Sequence, residues 1–215
     1  MDFSQQRALM IERQLRTVGV LDASVLHAFA QVAREDFVPP AYRDLAYVDT
    51  MIPFNHQRVL LSPGVSGRLL QALALKVTDR VLEIGTGSGY ETAVLAQLVQ
   101  QLTTVEQQAD VLNAAKQRLQ YLLAANVHFV HDDYGLSTLD NQLYDAIFIN
   151  GALESIPAAI YDVLKPTGRL VAIIGQTPRM SACLVTRRAG VWQGQSLFET
   201  AAPYLIPPPA ATFHF

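Results

Sequence analysis

The stretch VLEIGTGSGYETAVLA, residues 81–96, carries glycines at 85, 87 and 89 between a short apolar run and a helical one. Glycine tolerates positive φ and has no Cβ, so a ligand can come close to the backbone at such a turn. Turn formation alone does not call for three glycines at alternate positions. A dinucleotide loop of the G-x-G-x-x-G type, counted from Gly85, would need glycine at 90, where this chain has Tyr90. No Lys-Ser/Thr pair follows as in a P-loop, and nothing basic stands in the loop to meet a phosphate. An acid, Glu83, precedes the first glycine by two positions, which suits a ligand with positive charge better than a pyrophosphate. Glu106 ends the next strand, where a carboxylate can accept both hydroxyls of a ribose. Asp132 and Asp133 end the third, where one could accept from an adenine amino group. The alternative for this pair is capping of the following turn.

The pattern E-x-G-x-G-x-G resembles the nucleoside-binding signature of S-adenosylmethionine (SAM) methyltransferases. The implied cofactor is SAM, with S-adenosylhomocysteine as product. Its expected binding residues are Glu83, Ile84, Gly85, Thr86, Gly87, Ser88, Gly89 and Tyr90 of the loop, Glu106 and Gln107, and Asp132 and Asp133.

A second group of candidates lies upstream, in IPFNHQRVLLSP, residues 52–63. Ser62 is its one hydroxyl and the candidate catalytic group. Standing before Pro63, it is equally placed to be a helix N-cap. Arg58 could pair bidentately with a carboxylate acceptor or lie on the surface. His56 could position a substrate carboxylate or face solvent. The five histidines show no ligand spacing, and no metal is expected.

The elements that must position these residues follow from periodicity. Residues 4–37 read as two helices, the first with Ala8, Ile11, Leu15 and Val18 on one face. The second is capped by Asp22 and aligns Val25, Leu26, Phe29 and Val32. A proline-broken segment leads to a helix starting at Pro63. From residue 80, short apolar strands alternate with helices, which implies a parallel sheet covered on both faces. SACLVTRR and VWQGQSLFETA around Ala189-Gly190 read as an antiparallel pair, Trp192 as packing, and PYLIPPPAATF as an extended tail. The expected class is α/β: a Rossmann-like SAM-dependent methyltransferase fold, mostly parallel, with antiparallel C-terminal strands and an N-terminal helical cap. One domain is expected, divided into cap and acceptor loop (1–62), SAM-binding core (63–175) and C-terminal strands with tail (176–215).

Composition narrows the function classes. The chain has 215 residues, is 50% hydrophobic and carries a net charge of −3, which argues against a dedicated nucleic-acid or anionic-membrane surface. One cysteine fits a reducing compartment, no apolar run reaches membrane length, and the start does not read as a signal peptide, so a cytoplasmic protein is expected. Nothing in the sequence bears on oligomeric state.

With the loop, the prefix and the ending in view, the chain resembles the protein-L-isoaspartate O-methyltransferase family over nearly its whole length. VAREDFVPPAY is similar to the family's Pro-Arg-Glu-x-Phe-Val-Pro segment, with Ala33 for its proline. YDAIFINGALESIP and LKPTGRLVAIIG resemble its fourth and fifth strands. The resemblance implies methyl transfer from SAM to the carboxylate of isoaspartyl residues in proteins or peptides. It aligns Asp133, rather than Asp132, with the family's adenine-side aspartate. The departure is in the acceptor segment, Pro-x-Gly-x-Gly-Gln-Thr-Ile-Ser-x-Pro in the family. Here Asn55 and Gln57 stand for the glycines, Arg58 for the glutamine, Val59 for the threonine and Leu61 for the serine, with Ser62 one residue late. Isoaspartyl transfer, a different acceptor, and a catalytically silent SAM- or partner-binding relative therefore all stay open.

Overall fold

The computed structural model describes residues 2–55, 58–120, 126–139 and 142–207. Helix α1 (Phe3–Met10) starts where Asp2 accepts from the amides of Ser4 and Gln5. It runs straight into a π-turn over Ile11–Leu15. That wider turn corrects the expected helical face: Met10 and Leu15, five residues apart, are buried, whereas Ala8 and Val18 are exposed. Helix α2 (Ala23–Gln31) is capped by Asp22 and buries Val25, Leu26 and Phe29 as its periodicity requires.

A short hairpin pairs Ile52 with Leu60 and Pro53 with Val59. Helix α3 (Pro63–Leu73) follows, with Pro63 in its first turn. Ser62 holds the N-cap position but makes no capping hydrogen bond. The cap comes from outside, where Asp49 Oδ1 accepts from the Gly64 amide at 2.8 Å. Arg169 covers the other end, donating to the carbonyls of Leu73 and Ala74.

Seven strands form the main sheet: β1 (Arg80–Ile84), β2 (Gln101–Glu106), β3 (Val127–His131), β4 (Tyr144–Leu153), β5 (Leu164–Gln176), β6 (Arg179–Arg188) and β7 (Val191–Glu199). Their order is β3-β2-β1-β4-β5-β6-β7. The first five in this order are parallel, and β6 and β7 are antiparallel. Helices α4 (Tyr90–Leu98), α5 (Ala109–Leu119) and α6 (Ala158–Asp162) connect β1 to β2, β2 to β3 and β4 to β5. The sheet order reverses between β1 and β4, so the ligand crevice of this architecture lies beyond Ile84 and Asn150.

Helix α4 is buried nearly all round, because the sheet covers one side and the N-terminal cap the other. Tyr90 anchors the cap: its ring meets Phe29 and Phe37 edge-on at 6.1 and 5.6 Å, and the Arg34 guanidinium lies 4.6 Å above it. Arg34 is fully buried and donates to the Leu61 carbonyl at 2.7 Å, tying the cap to the acceptor segment. Trp192 stacks on Tyr161 with centroids 5.4 Å apart, a packing role.

The tail does not hang free over its described length. Ala152 N donates to Pro203 O at 3.1 Å, and Leu205 N donates to Ala152 O at 2.8 Å, so residues 203–205 dock on the end of β4.

Candidate cofactor and acceptor site

The glycine loop takes the shape its residues require: Gly85, Gly87 and Gly89 have φ of +94°, +57° and +90°. Five of its amides are spent internally. Gly85 N and Thr86 N donate to Val105 O, Gly89 N to Thr86 O, Gly87 N to Glu106 Oε2, and Tyr90 N to Ser88 Oγ. This agrees with the absence of a phosphate motif, since no anion cradle is left at these positions. The Thr86 hydroxyl pairs with that of Thr104 at 2.7 Å, and Ile84 belongs to the core.

Glu83, expected as an acid suited to a positively charged ligand, lies in the protein interior. It is fully buried, with Oε2 accepting from Thr92 and Thr104 at 2.5 and 2.7 Å and Oε1 without a partner. Burial pushes its carboxyl up to about 8 against the pull of the two hydroxyls, so it carries a proton at neutral pH. The cation-attracting charge assigned to it from the sequence is thereby suppressed. The Tyr90 side chain packs under the cap, against Phe29 and Phe37.

Glu106 sits at the end of β2, fully buried, and is the most heavily bonded group of the site. Oε1 accepts from Gln107 N (3.0 Å), Gln108 N (3.2 Å) and the Tyr134 hydroxyl (2.9 Å), and Oε2 from Gly87 N (3.0 Å). Arg58 then binds both oxygens, Nη1 to Oε1 at 3.2 Å and Nη2 to Oε2 at 3.3 Å, with Nη1 also 3.1 Å from the Tyr134 hydroxyl. Burial raises the Tyr134 hydroxyl to about 12, so it stays a donor across the usual pH range. Arg58 is thus a buried partner of an internal carboxylate, and its surface reading is overturned. The hairpin aims it: Arg58 N donates to Asn55 Oδ1 at 2.8 Å, and Phe54 N to Arg58 O at 3.1 Å.

Asp132 spends both oxygens on the following turn, accepting from Leu136 N, Thr138 N and the Thr138 hydroxyl. Burial would raise its carboxyl, but the Thr138 and Leu136 donors outweigh it and leave it below its ordinary value. It is the turn-capping member of the pair. Asp133 is exposed, with Oδ1 accepting from Gly135 N. Gln107 is exposed, and its carbonyl meets His131 Nε2 at 2.9 Å.

On the acceptor side, Leu61, Val59, Asn150 and Gly151 face Arg58 and Leu205 across one small cavity. Ser62 does not line it. His56 lies outside the described residues. Asn150 escaped sequence reasoning, although a polar residue ending an apolar strand is a signal available in advance. Its amide donates to Glu91 at 3.4 Å, and Glu91 in turn accepts from Ser66 at 2.9 Å. Burial raises the Glu91 carboxyl, while Arg34 and Ser66 pull it down.

Known proteins resemble this chain over most of its length. The family model described as protein-L-isoaspartate(D-aspartate) O-methyltransferase matches residues 4–201. The chain belongs to that family. A protein-L-isoaspartate O-methyltransferase of Geotalea uraniireducens is 35% identical over 87% of this chain and 85% of its own. One of Xanthomonas campestris is 36% identical over 94% and 88%. Among solved structures, a Plasmodium falciparum protein described as a protein-L-isoaspartate O-methyltransferase in complex with S-adenosyl-L-homocysteine superposes with a TM-score of 0.78. It is 20% identical and covers 94% of this chain and 98% of that one, a likeness of fold.

SAM is the cofactor of this family, and the chain keeps the kinds of groups that would hold it: the glycine loop, Glu106 and Asp133. Among the described residues, side chains of this chain stand over that loop. A Cβ built at Gly85 would lie 2.8 Å from Leu205 Cδ1 and 3.0 Å from Arg58 Nη2, and one at Gly87 3.3 Å from Phe54 Cζ. The space the glycines keep clear is filled by the chain's own side chains. The small cavity on the acceptor side measures about 10 Å³, room for one water. A larger hollow of 590 Å³ lies at the β5–β6 turn and the end of β7, and none of the site candidates lines it.

Proposed function

We propose that this chain is a SAM-dependent methyltransferase acting on the carboxylate of isoaspartyl residues in proteins or peptides. The observation that carries the reading is the family match across residues 4–201 together with the glycine loop and Glu106 at the reversal of the sheet. When bound, SAM supplies a methyl group on a sulfonium. The acceptor carboxylate is already ionised, so the chain needs no general base and its task is orientation. The glycine loop would give close backbone approach, the Glu106 carboxylate would accept sugar hydroxyls, and Asn150, Val59 and Leu61 border the acceptor side. Ser62 is buried and stands off the cavity, so we give it no chemical step.

The partner is a protein or peptide, and we place the reaction in the cytoplasm, in keeping with a single free cysteine. No helix among the described residues is long and apolar enough to cross a membrane. The test is transfer of label from methyl-labelled SAM to an isoaspartyl peptide and to its aspartyl isomer. Base-labile methyl ester on the isoaspartyl peptide alone is expected. No transfer to either peptide, with S-adenosylhomocysteine binding intact, would refute the acceptor assignment.

A further inference from the structure

We infer that Arg58 is an internal competitor for the cofactor: its guanidinium occupies the Glu106 carboxylate that a nucleoside ribose would use. SAM therefore enters only when the Arg58 side chain leaves Glu106. The inference rests on the methyltransferase reading above and concerns what controls access to that site.

Three observations converge on it. First, Glu106 is saturated. A carboxylate offers about four lone-pair sites. Here three amides, one hydroxyl and two guanidinium nitrogens already converge on it. Two ribose hydroxyls can be accepted only if donors leave, and Arg58 is the one donor on a hairpin outside the sheet framework. Second, the occupant is built in rather than incidental. Asn55 fixes the Arg58 amide, Phe54 of the same hairpin lies against Gly87, and Leu205 of the docked tail lies against Gly85 and Gly151. Third, Arg58 stands where the family segment has a glutamine. A glutamine is uncharged and shorter, and cannot present two parallel N–H donors to a carboxylate. The substitutions noted in the acceptor segment therefore also act on the cofactor side.

The consequence is a lowered affinity set by one side chain. Restoring the family residue should release Glu106 while leaving the glycine loop, Tyr134 and the three amides in place. Isothermal calorimetry with S-adenosylhomocysteine on the wild type and on Arg58→Gln tests this directly. Binding at least tenfold tighter in the variant is expected. Equal affinity in the two proteins would overturn the competition and leave the methyltransferase reading standing. Absence of binding in both would overturn the competition and count against the methyltransferase reading as well.

A measurement on the wild type guards against a variant that fails to fold. Trypsin cuts after arginine, and a side chain clamped in a crevice is a poor site. Saturating S-adenosylhomocysteine should speed cleavage after Arg58, because the ligand drives that side chain into solvent. Cleavage there that is unchanged or slowed by the ligand would overturn the inference.

Discussion

Replacing Glu83 by glutamine removes a strongly displaced titration without changing the shape of the side chain. In the folded protein this carboxyl titrates near 8, because burial outweighs the hydroxyls of Thr92 and Thr104. In the unfolded chain it returns to about 4.5. Between those values the folded state holds a proton that the unfolded state has released, so stability falls as pH rises. The contribution is fully present below pH 4.5 and gone above about 8. At about 1.4 kcal/mol per unit, the wild type should lose about 3 kcal/mol from this group between pH 5.5 and 8.5. Glu83→Gln has no such proton and should not lose it. Urea unfolding followed by far-UV circular dichroism at the two pH values gives the comparison. The difference between the proteins cancels the other titrating groups to first order. Parallel pH dependence would show that the carboxyl ionises normally, and that a buried, half-paired Glu83 is the wrong description of the protein in solution.

Two further substitutions probe the elements that hold the site. Asp49→Ala removes the carboxylate that caps α3 at Gly64 and should cost about 1 kcal/mol in urea unfolding, more than Ser62→Ala, whose hydroxyl makes no cap bond. Ala74→Gly relieves a non-glycine residue at φ +45° at the end of α3 and should raise stability by about 1 kcal/mol, measurable as a higher urea midpoint at unchanged slope.

The sheet was legible because strands and helices alternate with the composition that each demands, and β1 through β5 fall where that alternation places them. Two details were hidden. The π-turn at Ile11–Leu15 inserts a backbone step that no residue type announces, so Met10 rather than Ala8 turns inward. Helix α6 is confined between Pro157 and a strand that begins early, at Leu164. In the site, Glu106 could be found because it ends a strand beside the glycine loop. Its occupant could not, since Arg58 and Glu106 are 48 residues apart and their meeting depends on how the hairpin folds over the sheet. The partner of Asp132 was not legible either: the Thr138 hydroxyl claims it, and Asp133 is left at the surface. Leu205 gave no signal at all, because an apolar residue in a proline-rich tail has no period to follow.

The docking of residues 203–205 on β4 also has a consequence for biosynthesis. The ribosome delivers Leu153 first and Leu205 52 residues later (205 − 153). At roughly 5–20 residues per second, that interval is about 3–10 s. By its later part the parallel strands and the glycine loop have been made while the side chain that lies over Gly85 has not. The nascent chain therefore passes through a stage in which one of the three groups filling the crevice is missing, and a nucleoside present at that moment meets a more open site than it does on the finished protein.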